Sequence, residues 1–212
     1  MQICIYVILH IFFSEYLFVF YCYFSLRLNR IFAKKIMALI IPLNGKTPKI
    51  GKNCFIAENA TIIGDVEIGD NCSIWFNTVL RGDVHYIKIG NNTNVQDGAI
   101  IHGTYQKSPT NIGNNVTIAH GAIVHGCTLN DNVMIGMRAV ILDDVIVESE
   151  TIIGAGSVVT KGTKVEAHSI YGGIPAKKIK SMSPELLDGE LNRIAQSYNK
   201  YASWYTKEIL ED

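Results

Sequence analysis

From Ile50 onward an aliphatic residue returns every six positions. The first run is Ile50, Ile56, Ile62, Ile68, Ile74 and Leu80. A slip of three follows, then Ile89, Val95 and Ile101. A loop leads to Ile112, Ile118 and Val124, and the last register is Leu129, Ile135, Ile141, Val147, Ile153, Val159 and Val165. A helix repeats at 3.6 and a half-buried strand at two, so neither sustains a period of six. A parallel β-helix of hexapeptide repeats does.

A second column runs three residues behind the first: Asn53, Asn59, Asp65, Asn71, Asn77, Asp83, Asn92, Gly98, Asn115, Gly121, Asn132, Asp144, Gly156 and Gly162. Asn, Asp and Gly tolerate the left-handed backbone of a tight corner. Each hexad therefore reads as a short strand plus a corner, with the ladder residue pointing inward. Three hexads make an 18-residue coil, which stacks Ile50 on Ile68, Ile56 on Ile74 and Leu129 on Val147. Each buried rung contributes about 1.5–3 kcal/mol. Cys54 and Cys72 fall in one column and are expected as two parallel thiols. Five cysteines without a CxxC pair suit a reducing compartment.

The pattern divides the chain into an apolar extension (1–36), a β-helix domain (37–182) and a C-terminal helix (183–212). Residues 3–26 are apolar enough to span a bilayer, but Glu15 lies near the middle, where a carboxylate is costly. No basic residue precedes the run, which makes it a poor signal peptide. Arg27, Arg30, Lys34 and Lys35 follow it, an arrangement that leaves the domain cytoplasmic if the segment inserts. The expectation is that Met37 is the working start, with membrane contact only if residues 1–36 are expressed and insert. Without them the chain keeps 15 basic and 18 acidic residues, a net of about −3. No basic stripe supports nucleic-acid binding. At the other end, Ser183-Pro184-Glu185 has the form of a helix start. Leu187, Leu191, Ile194, Tyr198, Tyr201, Tyr205 and Ile209 then form one apolar stripe, expected to pack along the β-helix or on a neighbouring subunit.

Three of the six histidines, His102, His120 and His125, lie between Asn94 and Cys127, and the first two are one coil apart. A lone histidine beside a core aliphatic is ordinarily just a satisfied side chain. Three on adjoining corners can bind zinc and leave a fourth position open for water, whose pKa zinc lowers to about 7. Arg81-Gly82-Asp83 ends the first ladder, and Asn94, Gln96 and Asp97 precede His102 on its own coil.

This set, RGD, then NVQDGAIIH, then IGNNVTIAHGAIVHG, closely resembles the gamma-class carbonic anhydrase family over about residues 38–180, and within it the bacterial branch with a short loop after the first histidine. The resemblance implies an all-β fold, a left-handed parallel β-helix with a C-terminal α-helix, although general rules favour right-handed crossovers. It implies a homotrimer in which His102 and His125 come from one subunit and His120 from its neighbour, together binding zinc, iron or cobalt. Gln96 would orient the metal-bound hydroxide and Asn94 would help position bicarbonate. Arg81 and Asp83 would form a salt bridge between subunits, with Asp97 in the same network. The reaction implied is reversible hydration of carbon dioxide to bicarbonate.

Two departures bear on proton transfer. Val84 stands where the founding pattern has a glutamate, and the loop GTYQKSPTN after His102 has no acid. Turnover is therefore expected to be slow or dependent on buffer. His85 is the candidate replacement, since an imidazole titrates near 6.5, although a surface histidine without a role is the plainer reading. His168 lies beyond the triad and is assigned no chemistry. The competing readings are a hexapeptide-repeat acyltransferase or thioesterase acting on coenzyme A esters, which needs one histidine base and no metal, and a non-catalytic metal-binding trimeric scaffold.

Overall fold

A computed structural model describes residues 38–211. The readings placed on residues 1–36 lie outside the described residues. The chain winds as a parallel, left-handed β-solenoid of about seven turns with a C-terminal helix. Three flat faces make each turn. Face one stacks Ile100–His102, Ile123–His125, Val140–Ile141 and Val158–Val159. Face two stacks Thr110–Ile112, Thr128–Leu129, Ile146–Val147 and Lys164–Val165. Face three stacks Phe55–Ile56, Ser73–Ile74, Asn94–Val95, Thr117–Ile118, Val133–Ile135, Thr151–Ile153 and Ser169–Gly172, with Lys177–Ser181 added antiparallel. Two longer strands, Thr61–Ile68 and Val79–Ile89, run round the corner from face one to face two.

The six-residue ladder is the core. Ile62, Ile74, Leu80, Val95, Ile101, Ile118, Val124, Ile135, Ile141, Val147, Ile153 and Val165 are all completely enclosed. Ile50 pairs with Ile68, Ile56 with Ile74 and Leu129 with Val147, as the 18-residue coil requires. The slip of three is a bulge. Gly82 sits opposite Gly64 and Ile87 opposite Val66, so Asp83–Tyr86 stand against Asp65 alone. That bulge projects Asp83 and His85 from the corner between faces one and two.

The corner column needs correcting at both ends. Asn59, Asp65 and Asp83 are not left-handed; Gly64 (φ 74°) makes the bend next to Asp65. Arg138, Glu150 and His168 occupy the same third position after their ladder residues and are left-handed, at φ 55°, 57° and 52°. Their backbone N–H groups donate to His120, Asp131 and Ser149 on the preceding coil. The stack thus imposes a conformation that costs an ordinary side chain about 1–2 kcal/mol.

The C-terminal helix is less regular than its stripe suggested. Ser183 caps a short turn, Pro184–Leu186, by accepting from the Leu186 N–H. A π-helical stretch, Leu187–Asn192, follows, and only then the helix Arg193–Glu211. Leu191, Ala195 and Ala202 are buried, Tyr198 and Tyr201 pack half-buried against the core, and Tyr205 is exposed. Tyr198 and Tyr205 meet the Trp75 ring edge-on, at centroid separations of 5.4 and 5.6 Å, and Tyr205 also reaches Phe55 and Phe76. The helix therefore packs on face three, one of the two placements expected. Among the described residues no helix is long and apolar enough to cross a membrane.

Cys54, Cys72 and Cys127 are free thiols. The Cys72 thiol beside Cys54 holds Cys54 down at about 7, while that same contact and burial push Cys72 up. The thiolate forms above its pKa, so alkylation of Cys54 by iodoacetamide should rise through pH 7 ahead of Cys72 and Cys127, read by mass spectrometry of the labelled peptides. For the core, Ile118→Ala should lower unfolding free energy by about 2–5 kcal/mol in urea titrations.

Candidate functional site

His102 and His125 end neighbouring strands of face one and stand directly opposite one another in the parallel register. Their rings leave the face at its corner with face two. His102 Nδ1 lies 3.2 Å from His125 Nε2. Each ring spends its other nitrogen on a carboxylate: His102 Nε2 lies 2.9 Å from Asp83 Oδ1, and His125 Nδ1 lies 2.6 Å from Asp143 Oδ1. Burial raises both carboxyls, but hydrogen bonds outweigh it, from His102 and Arg81 at Asp83 and from Thr104 and His125 at Asp143. Both sit below the ordinary carboxylate value. As anions they can accept ring protons. The two remaining nitrogens face each other 3.2 Å apart, with the Arg81 guanidinium at 3.5 Å from His102 Nδ1, and which of them carries a proton depends on the tautomer. Two facing imidazole nitrogens, each ring backed by a carboxylate, are donor chemistry suited to a metal ion.

His120 is elsewhere, and its 18-residue spacing from His102 is not the one coil expected, because the loop after His102 makes that coil 23 residues long. It sits in the turn between Thr117–Ile118 and Ile123–His125, at the corner of faces three and one, so the width of face one separates it from the other two. Its Nδ1 lies 2.8 Å from Asp97 Oδ2, and its Nε2 lies 3.3 Å from the Tyr198 hydroxyl. Burial, and then the Asp97 charge, raise the Tyr198 pKa. Among the described residues of one chain, no group of three histidine, cysteine or acidic side chains is placed to hold a metal.

Asn94 and Gln96 are buried on face three, next to Asp97. Gln96 Nε2 donates to Asn94 Oδ1 at 3.0 Å, and Asn94 Nδ2 donates to Thr117 Oγ1 at 2.8 Å. Arg81 and Asp83 pair at 2.5 Å within the chain. His85, in the bulge, accepts from the Tyr86 N–H through Nδ1. His168 pairs with Glu150 on an exposed corner. The expected residues thus fall into three groups: Arg81, Asp83, His102 and His125; Asp97 with His120; and Asn94 with Gln96.

Sequence reasoning passed over Asp143 and placed Tyr198 only in the apolar stripe. Asp143 had a signal, because it follows His125 by one 18-residue coil. Tyr198 had none toward His120, because that contact depends on where the helix docks. Gln96→Ala should strand the buried Asn94 carbonyl and cost about 1–3 kcal/mol in urea unfolding.

The bacterial transferase hexapeptide family, of six repeats, matches residues 47–82 and 126–161. The Arabidopsis thaliana protein named gamma carbonic anhydrase 2, mitochondrial, is 42% identical over 161 residues; these cover 74% of this chain but only 56% of that protein. A Geobacillus kaustophilus protein named carbonic anhydrase is 40% identical over 79% of this chain and 91% of its own length. Among solved structures, a Bacillus cereus protein named as a candidate acetyltransferase is 38% identical, covers 80% of this chain and 98% of its own, and superposes with a TM-score of 0.78.

Proposed function

This chain belongs to the gamma-class carbonic anhydrase family, and from that premise we propose that it is a metal-dependent hydratase interconverting carbon dioxide and bicarbonate, with its site completed between subunits of a homotrimer. The observation that carries this reading is the division of the histidines. One corner presents two facing ring nitrogens, and the third histidine stands at the far edge of the same face. Each chain then holds both parts of a three-histidine site but cannot join them alone.

In this reading His102, His125 and His120 of the partner subunit would hold zinc, with iron or cobalt as alternatives. Asp97 takes the His120 Nδ1 proton, which leaves Nε2, now beside Tyr198, as the ligand nitrogen. When bound, the metal supplies the Lewis acidity that activates water near neutral pH. Gln96 commits its amide N–H to Asn94 and offers its oxygen to orient the attacking water. Asn94 fixes that amide and helps position bicarbonate. Arg81, Asp83 and Asp97 border the neighbouring subunit and form the interfacial charge network. With Val84 and an acid-free Gly103–Asn111 loop, protons leave chiefly through buffer, His85 being the one imidazole in the bulge. Free thiols at Cys54, Cys72 and Cys127 suit the cytoplasm. Acyl transfer, which the Bacillus cereus protein's name suggests, needs one base and gives no reason for two facing ring nitrogens.

Stopped-flow carbon dioxide hydration on the zinc-loaded full chain tests this. Rates should rise with buffer concentration and vanish in His120→Ala and in His102→Ala. Mixing those two inactive variants under subunit exchange should restore about a quarter of wild-type activity, because one site in four then draws both intact parts. A trimer that binds one zinc per chain yet hydrates no carbon dioxide at any buffer concentration would overturn the assignment.

A further inference from the structure

Asp143 lies outside the set of residues to which the proposed hydration assigns a part, yet it is the most tightly engaged carboxylate near His125. Both its oxygens are committed. Oδ1 takes His125 Nδ1 at 2.6 Å, and Oδ2 takes the Thr104 hydroxyl at 2.6 Å. Its approach to the strand end is close. A Cβ on Gly126, the residue after His125, would meet Asp143 Oδ1 at 2.3 Å, and Gly126 is left-handed at φ 55°. The next residue, Asp144, donates its N–H to the Gly126 carbonyl at 2.8 Å and accepts from the Ser108 hydroxyl at 2.6 Å. The Asp143-Asp144 corner therefore grips two things at once: the His125 ring, and both ends of the loop Gly103–Pro109 that follows His102.

We propose that Asp143 is a positioning residue for the metal site, holding the His125 proton on Nδ1 so that Nε2 presents its lone pair, and tying that ring to the loop after His102 through Thr104. The proposal rests on the metal-dependent reading above. The physical reason is tautomer choice. A neutral imidazole carries one proton, and the hydrogen bond at one nitrogen decides which nitrogen is free to ligate. Asp83 does the same for His102 from the other side, with the nitrogens exchanged: Nε2 is bonded and Nδ1 is free. Without Asp143, His125 can place its proton on Nε2, facing the lone pair of His102, and the two rings then satisfy each other with a hydrogen bond in place of a metal. Thr104 adds a second restraint, since it orients the carboxylate and holds the loop against it.

The test combines zinc affinity by chelator competition with imidazole nitrogen NMR of the metal-free full chain, comparing wild type with Asp143→Ala, Asp143→Asn, Thr104→Val and His102→Ala. Wild-type His125 should show the Nδ1–H tautomer. Asp143→Ala should shift it toward Nε2–H and weaken zinc binding about 10–100-fold. Asp143→Asn keeps the shape and one acceptor oxygen, so it should lose less, and it carries the test if the alanine variant does not fold. Thr104→Val should weaken binding less than Asp143→Ala. A folded Asp143 variant with wild-type tautomer and wild-type zinc affinity would overturn the role of Asp143 and leave the metal reading standing. Wild-type protein that binds zinc no better than His102→Ala would overturn the metal reading, and this proposal with it.

Discussion

Each coil of this protein is held in place by the aliphatic side chain directly above and below its own. Ile101 lies between Leu80 and Val124, and Ile118 lies between Val95 and Ile135. Removing these side chains from water is the main stabilising term. The parallel backbone bonds between coils then satisfy groups that would otherwise be buried unpaired. Stability is shared along the stack rather than vested in a single nucleus. Because the stack is regular, a position in sequence becomes a position in space, and any functional group can be located by its coil and its corner.

The candidate residues of the His102–His125 corner sit where that regularity is broken. The three extra residues after Gly82 push Asp83 out toward His102. The loop after His102 lengthens one coil, so that His102 and His125 pair across 23 residues rather than 18. On face three, Asn94 and Gln96 flank the ladder residue Val95, and Asn94 bonds to both Gln96 and Thr117. A rigid column thus carries its chemistry on irregular corners, in keeping with the general placement of sites on loops held by a scaffold.

In the proposed reading, a three-histidine centre divided between two corners of one chain would make assembly part of the chemistry. Two carboxylates, Asp83 and Asp143, orient the two rings at the first corner, and Asp97 orients the ring at the second. All three histidines are therefore set before any neighbour arrives. In the proposed trimer such preorganisation would lower the reorganisation needed when the corners of two subunits meet.

Sequence alone determined the solenoid, because a period of six admits no other packing of the aliphatic residues. It also located the histidines, the Arg81–Asp83 pair and the coil that carries Asn94 and Gln96. Tertiary structure decided the rest. Left-handed corners at Arg138, Glu150 and His168 come from bonds to the preceding coil, which override residue preference. The contact of Tyr198 with His120 follows from docking the helix against Trp75. The bond from Thr104 to the Asp143 carboxylate depends on the path of a loop whose own sequence has no period. Periodicity specifies what stacks; the orientation of each ring nitrogen is a matter of tenths of an ångström between side chains on different coils, and only the folded chain sets those.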